Sequence, residues 1–136
     1  MATVARKATS KTAAAARKNA AALAQRIAWL CEEFKASDVT ILSLDGVSDM
    51  TDYFVIASGS SDTHVRSTAQ RVEEEMKAAG TRVTHAEGLE QGRWVILDYV
   101  DVVLHVFHPA MRSYYQLERL WSDAAVVPLT HQGASA

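Results

Sequence analysis

Carboxylates stand at the join between two strand-like segments in the second half of the sequence. The segments 94–98 and 102–107 have the composition of buried strands, and Asp98, Tyr99 and Asp101 fall at the turn between them. Two or three carboxylates on neighbouring strands can hold two metal ions around a phosphate during nucleotidyl transfer. The same side chains can instead present an acidic surface to a basic partner.

The spacing of these groups disfavours catalysis. Asp98 and Asp101 flank a hairpin turn, so their side chains point apart, and no third carboxylate has a matching position. His105 and His108 are three apart, a spacing that puts strand side chains on opposite faces. The segment 59–62 lacks the spaced glycines and the lysine of a phosphate-binding loop and is better explained as a capped helix start. We therefore predict no catalytic residue, no metal site and no cofactor.

A binding surface is the stronger interpretation of the first strand of the hairpin. Alternation puts Trp94, Ile96 and Asp98 on one face and Tyr99 on the other. An aromatic anchor beside a charge is typical of protein-interface hot spots. We predict Trp94, Asp98, Tyr99 and Asp101 as partner-binding residues. The pattern alone also allows Trp94 to pack under the C-terminal helix.

Charge is distributed unevenly along the 136 residues. Six of the 14 basic residues lie in 1–31, which contain no acid, so eight remain in 32–136 against all 16 acidic residues, a formal charge of −8. Such a domain repels nucleic-acid backbones and attracts basic partners. No window is apolar enough for a membrane span, and a lone cysteine, Cys31, fits a reducing compartment. We therefore predict a cytoplasmic protein without direct sequence-specific nucleic-acid binding.

The hydrophobic pattern predicts a single α/β domain over 20–125, with a mixed five-stranded sheet and helices. Residues 1–19 are predicted to form a flexible basic tail and 126–136 a frayed C-terminal tail. An alternative for 1–31 is an organellar transit peptide, which would change the compartment. The predicted order is helix, two strands, helix, three strands, helix, over 20–34, 39–44, 52–58, 65–79, 82–86, 94–98, 102–107 and 109–121.

Several segments together resemble the ribosomal silencing factor (RsfS, Iojap) family. The similarity covers about residues 21–123 and is carried by Thr51-Asp-Tyr-Phe-Val-Ile-Ala-Ser-Gly59, Trp94-Val-Ile-Leu-Asp-Tyr99, Asp101-Val-Val-Leu-His-Val-Phe107 and Tyr114-Tyr-Gln-Leu-Glu-Arg-Leu-Trp121. The resemblance implies a nucleotidyltransferase-like fold without the catalytic carboxylates of that fold. It also implies a non-enzymatic protein that binds the large ribosomal subunit through large-subunit ribosomal protein fourteen.

By the same resemblance, the bound protein blocks joining of the small subunit and lowers translation when nutrients are limiting. The family's interface tryptophan matches Trp94, and its acidic strand-end positions match Asp98 and Asp101. Some relatives have a glycine where this chain has Val100. The alternative function is a nucleotidyltransferase-like enzyme with a degenerate metal site. Whether the protein forms a homodimer is left open by the sequence.

Overall fold

Six strands form one mixed sheet in the computed structural model. The structure describes residues 10–111 and 123–130, with side chains described for 19–111 and 123–130. The elements are α1 (Ser10–Glu33), β1 (Ser37–Ser43), β2 (Tyr53–Ser58), α2 (Asp62–Ala78), β3 (His85–Glu87), β4 (Trp94–Asp98), β5 (Val102–Phe107) and β6 (Ala125–Val127). The strand order is β3-β4-β5-β2-β1-β6, and β2 and β5 are the one parallel pair.

The sheet has one strand more than the five that the sequence predicted. The additional strand, β6, pairs antiparallel with β1 and places Val127 opposite Ile41. It lies at the start of the segment predicted as a frayed tail. A strand of three residues is too short to show the alternation on which a sequence-based assignment depends. The predicted strand at 82–86 is likewise displaced to His85–Glu87.

Helix α1 begins at Ser10, ten residues before the predicted start, and so includes half of the predicted basic tail. Alanine has the highest helix propensity, and alanine-rich sequence extends the helix without a large apolar stripe. The buried face contains Ala20, Ala24, Ile27 and Cys31. Burial raises the pKa of the Cys31 thiol to about 12, with a smaller contribution from Glu32, so this side chain is a neutral packing group. None of the described helices combines the length and apolar character that a membrane crossing requires.

Helix α2 has a defined cap at each end. Ser61 is the N-cap, and its Oγ accepts a hydrogen bond from the His64 N–H at 3.0 Å. At the other end Gly80 has φ +96°, and the Thr81 N–H reaches the Met76 carbonyl in a Schellman motif. The N-cap lies within the segment 59–62 predicted as a capped helix start, so the helix begins three residues before the predicted 65, and it ends within one residue of the predicted 79. Together α1 and α2 bury the inner face of the sheet.

The turn between β4 and β5 holds a valine in a backbone conformation that favours glycine. Val100 has φ +76°, and the Asp101 N–H donates to the Tyr99 carbonyl two residues earlier at 2.9 Å. The Asp98 carboxylate accepts from the Val100 N–H at 2.8 Å and stabilises the turn. A positive φ is strained for a β-branched residue.

We expect Val100→Gly to stabilise the fold by about 1 kcal/mol, because relief of the positive φ exceeds the entropy that glycine adds to the unfolded chain. Urea denaturation of both proteins would measure the difference. Val47→Gly is a matched control, since Val47 is a similarly exposed loop valine that does not have a positive φ. An increase in stability in Val47→Gly, or no increase in Val100→Gly, would contradict the argument that Val100 is strained.

Candidate functional site

The face of the sheet opposite α1 and α2, here called the outer face, carries an aromatic cluster. The cross-strand register places Trp94 opposite Phe107 and Ile96 opposite His105. The parallel pairing adds Phe54 from β2 beside this row. The sequence identified Trp94 but missed its aromatic neighbours. The alternation in β5 was the available signal, because Phe107 and His105 are two residues apart and must share a face.

Trp94 is half-buried and is fixed by contacts along its indole ring. Its Nε1–H donates a hydrogen bond to His105 Nδ1 at 3.1 Å, and its ring centroid lies 5.0 Å from that of Phe107. Met111 packs against the same cluster. Trp94 therefore does not pack under α1 or α2. The predicted C-terminal helix is helical over 109–111, and its residues 112–121 lie outside the described part of the chain.

His105, which accepts the indole hydrogen bond, is itself packed between aromatic rings. It is 6% exposed, its ring meets Phe54 edge-on at 4.6 Å, and it stacks on Phe107 at an interplanar angle of 9°. Burial lowers the pKa of His105 to about 4, so the imidazole is neutral near pH 7. Since Nδ1 accepts the indole hydrogen bond, the ring proton is on Nε2. His105 is therefore a buried, hydrogen-bonded residue of the aromatic cluster.

Asp98 shares the outer face with Trp94 but lies at the other end of β4. They are four residue steps apart along the strand, a distance of ~13 Å. Asp101 lies at the edge of the sheet beside β2, where its carbonyl accepts hydrogen bonds from the N–H groups of Asp52 and Tyr53 at 3.0 and 3.1 Å. Both aspartates are half-buried. The structure thus places Trp94 and Asp98 on one surface. Asp101 lies beside the Asp98 end of that surface.

Tyr99 does not belong to this surface. It is 5% exposed and packs in the core on the inner face, together with Val95 and Leu97. Burial raises the pKa of its phenol to about 12, with smaller contributions from Glu73 and Cys31. The partner-binding role of Tyr99 stays a prediction, and the structure places its side chain in the core rather than on the outer face. The alternation that exposes Trp94 and Asp98 necessarily turns Tyr99 inward.

The opposite edge of the sheet offers little to a phosphate. A cavity of about 280 Å³ lies there, lined by Asp62, Arg93, His108, Ala110 and Met111. Asp62 occupies the first turn of α2, so its carboxylate already complements the helix dipole and would repel an anion. Within 10–111 and 123–130, no group of three His, Cys, Asp or Glu side chains is arranged to hold a metal ion.

The buried neutral His105 makes stability depend on pH. Because the pKa falls from 6.5 to about 4 on folding, its contribution is complete above pH 6.5 and is lost as the pH falls towards 4. One proton gives a slope of up to ~1.4 kcal/mol per pH unit in this window. Urea denaturation between pH 7.5 and 4.5 should show this slope, and His105→Gln should reduce it. An NMR titration of His105 with a midpoint near 6.5 in the folded protein would refute the argument.

Comparison with known proteins identifies relatives over most of the chain. Residues 17–136 match the family model described as "Ribosomal silencing factor during starvation". Ribosomal silencing factor RsfS of Bacillus subtilis is 41% identical over 99 residues, which cover 73% of this chain and 84% of the relative. RsfS of Halalkalibacterium halodurans is 41% identical over 98 residues, 72% of this chain and 84% of the relative.

The fold has solved counterparts. A crystal structure of a protein from Chromobacterium violaceum superposes with a TM-score of 0.69 at 33% identity and covers 77% of this chain and 85% of that one. A crystal structure of a protein from Bacillus halodurans superposes with a TM-score of 0.68 at 37% identity. The match covers 76% of this chain and 95% of that one. The description of the matched family names a ribosomal silencing factor that acts during starvation. On the extent of the family match and the identity to its members, this chain belongs to the ribosomal silencing factor (RsfS, Iojap) family.

Proposed function

We propose that this protein binds the large ribosomal subunit through large-subunit ribosomal protein fourteen and prevents the small subunit from joining. The observation that carries the proposal is Trp94. Its ring is partly exposed on the outer face, while its N–H is fixed by the buried His105. A rigid aromatic side chain loses little entropy on binding and brings a large contact area. Family membership supplies the ribosome as the target.

Electrostatics supports a basic protein as the contact. The region after residue 31 has a formal charge of −8, and Asp98 and Asp101 border the surface that contains Trp94. Complementary charge raises the rate of encounter and selects partners more than it raises affinity. Exposed ion pairs contribute at most about 1 kcal/mol each. The aromatic contact therefore carries most of the affinity, and the acids favour a basic partner.

The proposed mechanism is steric competition. A bound silencing factor occupies the face of the large subunit that the small subunit would cover, so repression follows its occupancy. No conformational change of the ribosome is needed. Translation would fall when the factor is abundant relative to free large subunits, as under nutrient limitation. In a bacterial cell, this action takes place in the cytoplasm.

We also infer that the domain is related to nucleotidyltransferase-like folds but does not perform their chemistry. The Asp98 carboxylate accepts the Val100 N–H within its own turn, which does not orient it towards a shared ligand. Asp62 disfavours a phosphate at the start of α2. Titration calorimetry with nucleotide and Mg²⁺ should detect no binding. Magnesium-dependent binding would instead support the enzyme alternative.

Replacing Trp94 with alanine should weaken large-subunit binding at least about tenfold, as loss of a central aromatic anchor does. Co-sedimentation with purified large subunits measures it. Trp29→Ala is the matched control, because Trp29 is a half-buried tryptophan on α1, on the opposite side of the sheet. Circular dichroism and urea denaturation would establish that both variants fold. Unchanged co-sedimentation of folded Trp94→Ala would refute the role of Trp94.

Charge reversal of Asp98 and Asp101 to lysine should reduce binding more at low salt than at high salt, because dissolved ions screen the attraction between these partly exposed carboxylates and a basic partner. The control is Glu74→Lys with Glu75→Lys, which changes net charge equally on exposed positions of α2. Dissociation constants at two salt concentrations would separate a local effect from net charge. Equal losses in the two double variants, or a loss independent of salt, would contradict the electrostatic argument.

A further inference from the structure

Two loops meet at one edge of the sheet and form a continuous surface. The carbonyl of Asp101, in the β4–β5 turn, accepts hydrogen bonds from the N–H groups of Asp52 and Tyr53, where the β1–β2 loop enters β2. Within the β1–β2 loop, the Leu44 N–H donates to the Asp52 carbonyl at 2.9 Å and so joins the two ends of the loop. We call the surface formed by residues 44–52 and 98–101 the acidic tip.

The acidic tip exposes three apolar side chains. Met50 is 85% exposed, Val100 46% and Val47 44%, and they are three of the four large apolar residues that are exposed in the described part of the chain. Their backbones are held in place: the Met50 N–H donates to Ser48 Oγ at 3.1 Å, and the Val47 N–H donates to the Leu44 carbonyl at 2.9 Å. Apolar residues concentrated on one surface indicate an interaction site.

The sequence around these residues is acidic. Residues 44–52 and 98–101 contain five aspartates and no lysine, arginine or histidine. This charge opposes contact with RNA and with anionic membranes. It also opposes a symmetric dimer in which two tips would face each other, since such an interface puts like charges together. The remaining partner is a protein with a basic surface around an apolar patch.

We propose that the acidic tip is a second contact surface for the basic ribosomal partner, with Met50 and Val47 inserted into its apolar patch. This inference rests on the proposed function and extends the binding surface beyond the hairpin to the β1–β2 loop. Continuity with the first surface comes from Asp98, which belongs both to the outer face and to the tip. The apolar residues supply buried area, and the aspartates direct the approach.

The test is the double variant Met50→Ser, Val47→Ser, measured by co-sedimentation with large subunits and by binding to isolated ribosomal protein fourteen. We expect affinity to fall about five- to tenfold in both assays, as for exposed apolar contacts near an anchor. Stability should be unchanged, because both side chains are exposed. Val126→Ser is the matched control: Val126 is 68% exposed on the edge strand β6, outside the tip, and its replacement should leave affinity unchanged.

The outcomes separate the two proposals. In one outcome the wild-type protein binds, Trp94→Ala weakens binding, and the double variant binds like wild type. This result overturns the proposal that the acidic tip is a contact surface, and the proposed function stands. An equal loss in Val126→Ser would also overturn it, because the effect would not be specific to the tip. If the wild-type protein binds neither large subunits nor the isolated protein, both proposals fail.

Discussion

The parallel pairing of β2 with β5 determines where every surface of this domain lies. The two strands run side by side over six residues each, and nine of these twelve residues are buried. Each strand is the second member of a hairpin, because β1 precedes β2 and β4 precedes β5. Parallel alignment therefore brings both hairpin turns to one edge, and it brings the start of α2 and the end of β5 to the other. The acidic tip and the cavity near Asp62 are the two consequences.

The same pairing gives the sheet two unequal faces. The inner face is covered by the helices and holds aliphatic side chains together with Tyr99. The outer face holds an aromatic cluster in which a neutral histidine accepts the indole hydrogen bond of Trp94. A polar group buried in this way is stable only when its hydrogen bond is made. The orientation of Trp94 is thus tied to the protonation state of His105.

The sequence predicted the local elements well and the long-range contacts poorly. Alternation correctly placed the hairpin strands at 94–98 and 102–107 and put Trp94 with Asp98 on one face, because a period of two is a local property. Phe54 could not be assigned to the same cluster, since it comes from a strand 40 residues earlier, and its place depends on the parallel pairing. Strand β6 and the first turns of α1 could not be assigned either, because their hydrophobic pattern is too weak to predict a strand or a helix. Tyr99 was assigned by its chemistry, although its position in the alternation indicated burial.

Two backbone hydrogen bonds join the two loops of the acidic tip. One carbonyl, that of Asp101, accepts both N–H groups. These two hydrogen bonds do not depend on which side chains the loops carry. Residues such as Met50 and Val47 can change during evolution without altering the frame that presents them. A single substitution at this edge can therefore change an exposed side chain while the backbone contact between the loops is kept.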